Sequence, residues 1–261
     1  EPAAARAARR GTLAALQDGP ACPVRFVAQE ALPPGMAYES YIATSGCCPV
    51  REGLHDFFNG LCWQLFPRSK RRLNQLQAQA IAEQGGVQRR GAVRDAITVL
   101  DENGALLLAP QAVLQALWPA LRAHDWHTAL VARRALWQQA RVLPFGHALL
   151  EKLVAPRKGI TTHLLAIPVA AGDPGALLAT DTARADALLE ARLAPAWLAA
   201  KPYTPLPVLG VPGWHAANAQ ESFYDDASVF RPARQQERGP TAPLHNDTAP
   251  GTDPKEAPGG P

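Results

Sequence analysis

His55 and Asn59 are four residues apart and Asp56 and Asn59 three. On a helix, an imidazole, a carboxylate and a carboxamide would therefore stand side by side, with Trp63 one turn further on. Such a set beside an aromatic wall suits a bound metal ion or a polar substrate. The competing reading is that Asp56 favours the positive end of the helix while His55 and Asn59 make structural hydrogen bonds. His147 and Glu151 repeat the i, i+4 spacing, and imidazole with carboxylate on one face is a partial ligand set for a divalent transition metal. A solvated His–Glu contact explains the same spacing. Tyr224, Asp225 and Asp226 lie between Phe223 and Phe230, where two acids could complete a metal site or act as a general base, or could cap a turn and pair with Arg231.

Other polar groups have simpler explanations. Asp101, Glu102 and Asn103 precede Gly104 and fit a hairpin turn. Arg68, Lys70, Arg71 and Arg72, with Arg89, Arg90 and Arg94, could contact phosphates of a nucleic acid, although a solvated helix face has the same composition. His55 is the first histidine of the chain, which excludes the His-Asp metal phosphohydrolase pattern, since that needs another upstream. No P-loop, dinucleotide-binding glycine fingerprint, G-x-S-x-G or H-E-x-x-H is present.

The elements that must position these groups follow from periodicity. Leu54, Phe57, Phe58, Leu61, Cys62, Leu65 and Phe66 recur at helical spacing over 53–66, ahead of Pro67, and predict a helix that buries this face. A second helix is expected from Arg68 to Glu83, stopped by Gly85-Gly86. Residues 97–109 read as a β-hairpin and 160–169 as a strand. Further helices are expected around Val113–Leu121, around Trp126–Trp137, after Gly146 and over 182–199. Residues 24–52, broken by Pro33, Pro34 and Pro49, suggest an extended lead-in, and the proline-rich 202–231 a segment draped over the core.

Of 261 residues 47% are hydrophobic and 19% charged, which supplies a core, and a net charge of +3 is too small to imply a nucleic-acid or membrane partner. No apolar run approaches the ~18 residues of a membrane span. Four cysteines without C-x-x-C spacing suit a reducing cytoplasm better than a disulfide scaffold. The expectation is an α+β, helix-dominated single domain over 21–232 with a small β-hairpin or sheet. Residues 1–20 form a flexible or helical lead, and 233–261 a disordered Pro-rich tail.

Gly53-Leu54-His55-Asp56-Phe57-Phe58-Asn59-Gly60-Leu61, Trp63, Phe66-Pro67, Lys70 and Asn74 together resemble a bacterial family known as domain of unknown function 3025. So do Arg94-Asp95-Ala96 through Gly104, Phe145 to Lys152, Pro207 to Trp214, and Phe223 to Pro232. The resemblance covers roughly 24–232 and implies no activity, cofactor or partner. It does imply that the polar clusters share one domain and that the tail lies outside it. Cys47-Cys48 departs from the family pattern and is given no role. Two functions remain open. One is an intracellular enzyme, metal-dependent if His147 and Glu151 ligate an ion, whose site gathers His55, Asp56, Asn59 and Tyr224-Asp225-Asp226. The other is a non-catalytic module, binding protein or nucleic acid, in which the same residues form a hydrogen-bond network.

Overall fold

The structure is a computed structural model, describing residues 3–83, 91–170 and 182–233. The expected tail, from 234 on, and Gly85-Gly86, Arg89 and Arg90 lie outside the described residues. Helices dominate, as the periodicity predicts: α1 (Ala3–Arg10), α2 (Thr12–Gln17), α3 (Tyr38–Ser45), α4 (Leu54–Leu65), α5 (Pro67–Glu83), α6 (Ala92–Asn103), α7 (Gln111–Arg122), α8 (His147–Leu153), α9 (Thr182–Glu190) and α10 (Pro195–Ala199). Among the described residues no helix is long and apolar enough to cross a membrane.

Four strands, β3 (Gly104–Pro110), β4 (Arg141–Pro144), β5 (Thr161–Val169) and β6 (Tyr203–Pro207), form one sheet in the order β4-β3-β5-β6. β3 and β5 pair in parallel, Leu106 opposite Leu165, and both flanking pairs are antiparallel. A strand with its two neighbours in place and both faces covered is apolar throughout, and β3 reads Gly-Ala-Leu-Leu-Leu-Ala-Pro. Alternation splits the core. Ala105, Leu107, Leu164 and Leu206 face Leu114, Leu117, Leu130, Tyr224 and Phe230. Leu106, Leu108, Leu165 and Ile167 face Leu73, Leu76, Ile97, Leu100 and Leu189. A third cluster joins Leu16, Phe26, Ile42, Cys48, Phe57 and Trp63 around the two-stranded parallel sheet of β1 (Arg25–Ala28) and β2 (Cys47–Val50).

The hairpin expected over 97–109 is instead a helix running directly into a strand. Ala96, Ile97 and Leu100 bury one helical face of α6, and Gly104 begins β3. A Cβ on Gly104 would stand 2.5 Å from the Leu100 carbonyl oxygen, so this loopless junction needs glycine. Three other expectations shift. The lead-in contains α3 and parallel strands, 182–199 divides into α9 and α10, and the proline-rich segment contributes β6 to a sheet edge, where proline costs no ladder hydrogen bond. The buried face of α4 is also rotated. It carries Asp56, Phe57, Gly60, Cys62 and Trp63, whereas Leu54 and Leu65 are exposed.

Candidate functional site

Helices α3, α4, α5, α6 and α8 enclose a cavity of about 510 Å³. His55, Asp56, Asn59 and Trp63 reach it from α4, Lys70, Asn74 and Gln77 from α5, Asp101 from α6, His147 from α8, and Tyr38 and Glu39 from α3. The close approach of α8 to α6 depends on Gly146: a Cβ there would lie 2.4 Å from the Glu102 carbonyl oxygen. On the other side Asp186 of α9 accepts hydrogen bonds from the backbone N–H of Arg68 (2.9 Å) and Ser69 (2.8 Å), capping the first turn of α5 and so fixing where Lys70 begins.

The polar groups form one chain of contacts. Glu151 Oε2 lies 3.0 Å from His55 Nδ1, His55 Nε2 lies 3.1 Å from His147 Nε2, and His147 Nδ1 lies 3.5 Å from Asp101 Oδ2. The other Asp101 oxygen accepts from the Lys70 ammonium, which also donates to Asn59 Oδ1 at 2.9 Å. Asn59 in turn donates to the Tyr38 hydroxyl at 3.2 Å. The two imidazole rings meet edge to face with centroids 4.6 Å apart. His55 and Glu151 stand at the rim, with side chains 45% and 39% exposed, while His147 is buried.

Proton counting makes the histidine pair unusual. The chain ends on two carboxylates, which only accept. Two neutral rings bring two N–H donors for three contacts. His55 Nδ1–H then serves Glu151 and His147 Nε2–H serves His55. His147 Nδ1 is left as a buried lone pair facing the Asp101 carboxylate at 3.5 Å. A third proton, making one imidazolium, would turn every contact favourable. Burial pushes His147 below the usual histidine value and outweighs the opposing pull of Asp101, with Lys70 acting in the same sense as burial. Burial therefore favours the neutral His147 ring, while the Asp101 carboxylate beside Nδ1 favours the extra proton.

The surrounding charges are compensated. Burial would raise the Asp101 carboxyl, but Lys70 first and His147 next hold it below the ordinary carboxylate range. Burial would lower Lys70, and Asp101 more than restores it. Cys62, buried nearby, is pushed up to about 12 and stays a thiol, as does Cys48. All four cysteines are free.

The two helical clusters expected from spacing therefore meet. Glu151 sits on His55 Nδ1 rather than beside His147 at a shared ligand position. Among the described residues no group of three or more His, Cys, Asp or Glu is arranged to hold a metal ion. Asp56 is occupied by Arg51, accepting from its backbone N–H at 2.7 Å and from its guanidinium at 3.0 and 3.1 Å, and burial is outweighed so that its carboxyl lies low. The loop does not join them. Tyr224 packs on the other face of the sheet and donates to the Gly210 carbonyl, Asp226 pairs with Lys158 and Ser228, and none of Tyr224, Asp225 and Asp226 lines the cavity.

Lys70 and Asp101 are the residues that sequence reasoning assigned elsewhere. Lys70 sat within a basic run, yet with Leu73, Asn74 and Gln77 it lies at i, i+3, i+4 and i+7, which is the signal of a buried stripe. The rest of the run, Arg68, Arg71 and Arg72 at i, i+3 and i+4, stays on one face of α5, where Arg68 and Arg71 are exposed, Arg68 pairs with Glu190 at 3.8 Å and Arg72 donates to the Leu193 carbonyl. No curated protein and no solved structure matches the chain. Over residues 24–234, which include every group of the cavity, the sequence matches the family described as protein of unknown function (DUF3025), and the chain belongs to that family.

Proposed function

We propose that the chain is an intracellular enzyme that uses the His55–His147 pair for acid–base chemistry on a small polar substrate held in the cavity. The observation carrying this is the meeting of the two Nε2 atoms at 3.1 Å while a carboxylate faces each Nδ1. Such a pair takes up and returns one proton with little rearrangement, and Glu151 at the rim orients the more exposed ring. The open polar cavity onto which both rings face supports this reading over a purely structural network.

A second reading is favoured by the same distance. Two imidazole nitrogens each ~2.0–2.1 Å from one divalent ion stand about 3 Å apart, and carboxylates behind the far nitrogens are the usual support for histidine ligands. Water or substrate would supply the remaining ligands.

The deciding experiment incubates wild-type protein, His55→Ala and His147→Ala with a small-metabolite extract and follows species by mass spectrometry, alongside elemental analysis of each protein. Conversion by the wild type that both variants lose, without bound metal, supports the acid–base enzyme. Stoichiometric metal lost in both variants moves the function to the metal reading. Identical extracts for all three proteins without metal overturn both.

A further inference from the structure

The cavity extends past the histidines along α5, where Gln77 stands seven residues from Lys70, about 10 Å at 1.5 Å per residue. At that end the Gln77 side-chain oxygen is buried and makes no hydrogen bond, and the residue as a whole is only 8% exposed. One turn back, Asn74 donates to Glu39 Oε2 at 2.6 Å, which occupies one of the roughly four acceptor positions of that carboxylate. Thr98 of α6 spends its hydroxyl proton on the Arg94 carbonyl at 3.0 Å, so toward the cavity its oxygen can only accept. Three acceptors from three helices therefore line the cavity, which the Arg94 guanidinium, one turn before Thr98 on α6, also lines.

An unmet buried acceptor is destabilising until a donor arrives. We propose that Glu39, Gln77 and Thr98 form a recognition subsite for the ammonium group of a small amine, whose reacting end extends along the same cavity to the His55–His147 pair. An ammonium brings three donors and no acceptor, matching the three oxygens, and its charge suits the carboxylate. Burial raises the Glu39 carboxyl, Asp101 raises it further, and the Asn74 hydrogen bond and Lys70 oppose them, so a cation bound there would restore its ionised form. That the amine is a substrate rests on the function proposed above; its binding does not.

The test titrates full-length protein with n-butylammonium and, as a probe of equal size and opposite charge, butyrate, reading the side-chain NH2 signals of Asn74 and Gln77 by NMR. Saturable shifts with butylammonium only, weakened at least tenfold in Glu39→Gln and in Gln77→Leu and retained in His147→Ala, are expected. Glu39→Gln is isosteric and keeps the test valid if Gln77→Leu fails to fold. Equal response to both probes, or undiminished butylammonium binding in Glu39→Gln, overturns the subsite. Retained binding in His147→Ala together with no turnover of any metabolite would instead count against the enzyme while leaving the subsite in place.

Discussion

The Lys70 ammonium and the Asp101 carboxylate face each other across the seam between α5 and α6, with side chains only 5% and 20% exposed. Two charges taken out of water are tolerable because each has further partners: Asn59 and the ring of Trp63 for Lys70, His147 for Asp101. The pair ties the two helices that wall the cavity to the helix that carries His147.

Removing one partner leaves the other charge buried alone. Asp101→Asn and Lys70→Met are each expected to cost about 3–5 kcal/mol in urea unfolding. The double variant Lys70→Met, Asp101→Leu is expected to be more stable than either single change. Single variants within about 1 kcal/mol of wild type would show that the pair is not desolvated in solution.

Gly146→Ala tests the backbone approach that places His147. The new Cβ would stand 2.4 Å from the Glu102 oxygen and 2.5 Å from the Asn103 nitrogen, both backbone atoms that cannot swing aside. We expect a loss of about 1–3 kcal/mol and displacement of α8, read as loss of the His55–His147 contact in NMR spectra. Unchanged stability and imidazole signals would show that α6 and α8 separate freely.

Much of this arrangement was legible in the sequence, because apolar periodicity placed α4 and α8, the Gly85-Gly86 stop bounded α5, the apolar run over 160–169 marked β5, and i, i+4 spacing selected His55, Asn59, His147 and Glu151. The hidden half has a common cause. Lys70 lies among Arg68, Arg71 and Arg72, which stay on the surface, and Asp101 lies before an Asn-Gly pair whose turn preference was overridden by the burial of Ile97 and Leu100 on a helix. A charged residue on a buried stripe is visible only once its counter-charge is known, and that partner is 31 residues away. In the Tyr224-Asp225-Asp226 loop, local turn and packing chemistry accounts for Tyr224 and Asp226, away from the cavity.

Stability should fall on acidification in two stages. His147 has a folded value below its unfolded one, so its contribution is complete above about pH 6.5 and is lost as pH falls through the lower folded value. Asp101, also depressed in the fold, contributes above its unfolded value near pH 4 and loses that contribution as pH falls further. His147→Gln is expected to flatten the urea stability profile between pH 7 and 5 while leaving the more acidic fall. An unchanged slope over that window would mean that His147 is as easily protonated in the fold as in the open chain.

Glu151 is expected to set the tautomer of His55 rather than to ligate anything itself. In the wild type Nδ1 carries the proton because the carboxylate 3.0 Å away only accepts, which leaves Nε2 for His147. ¹⁵N NMR of labelled histidine at neutral pH should therefore show a protonated Nδ1 at His55, and Glu151→Ala should release the ring to a tautomer mixture. In Glu151→Gln the amide can present either its oxygen or its NH2, so the preference should weaken without vanishing. If catalysis runs through this pair, Glu151→Ala should cost about 10–100-fold in turnover, the usual effect of removing a carboxylate that orients a functional histidine, with substrate affinity little changed. A His55 tautomer indifferent to Glu151 would break the chain at its exposed end and confine any proton sharing to His147 and Asp101.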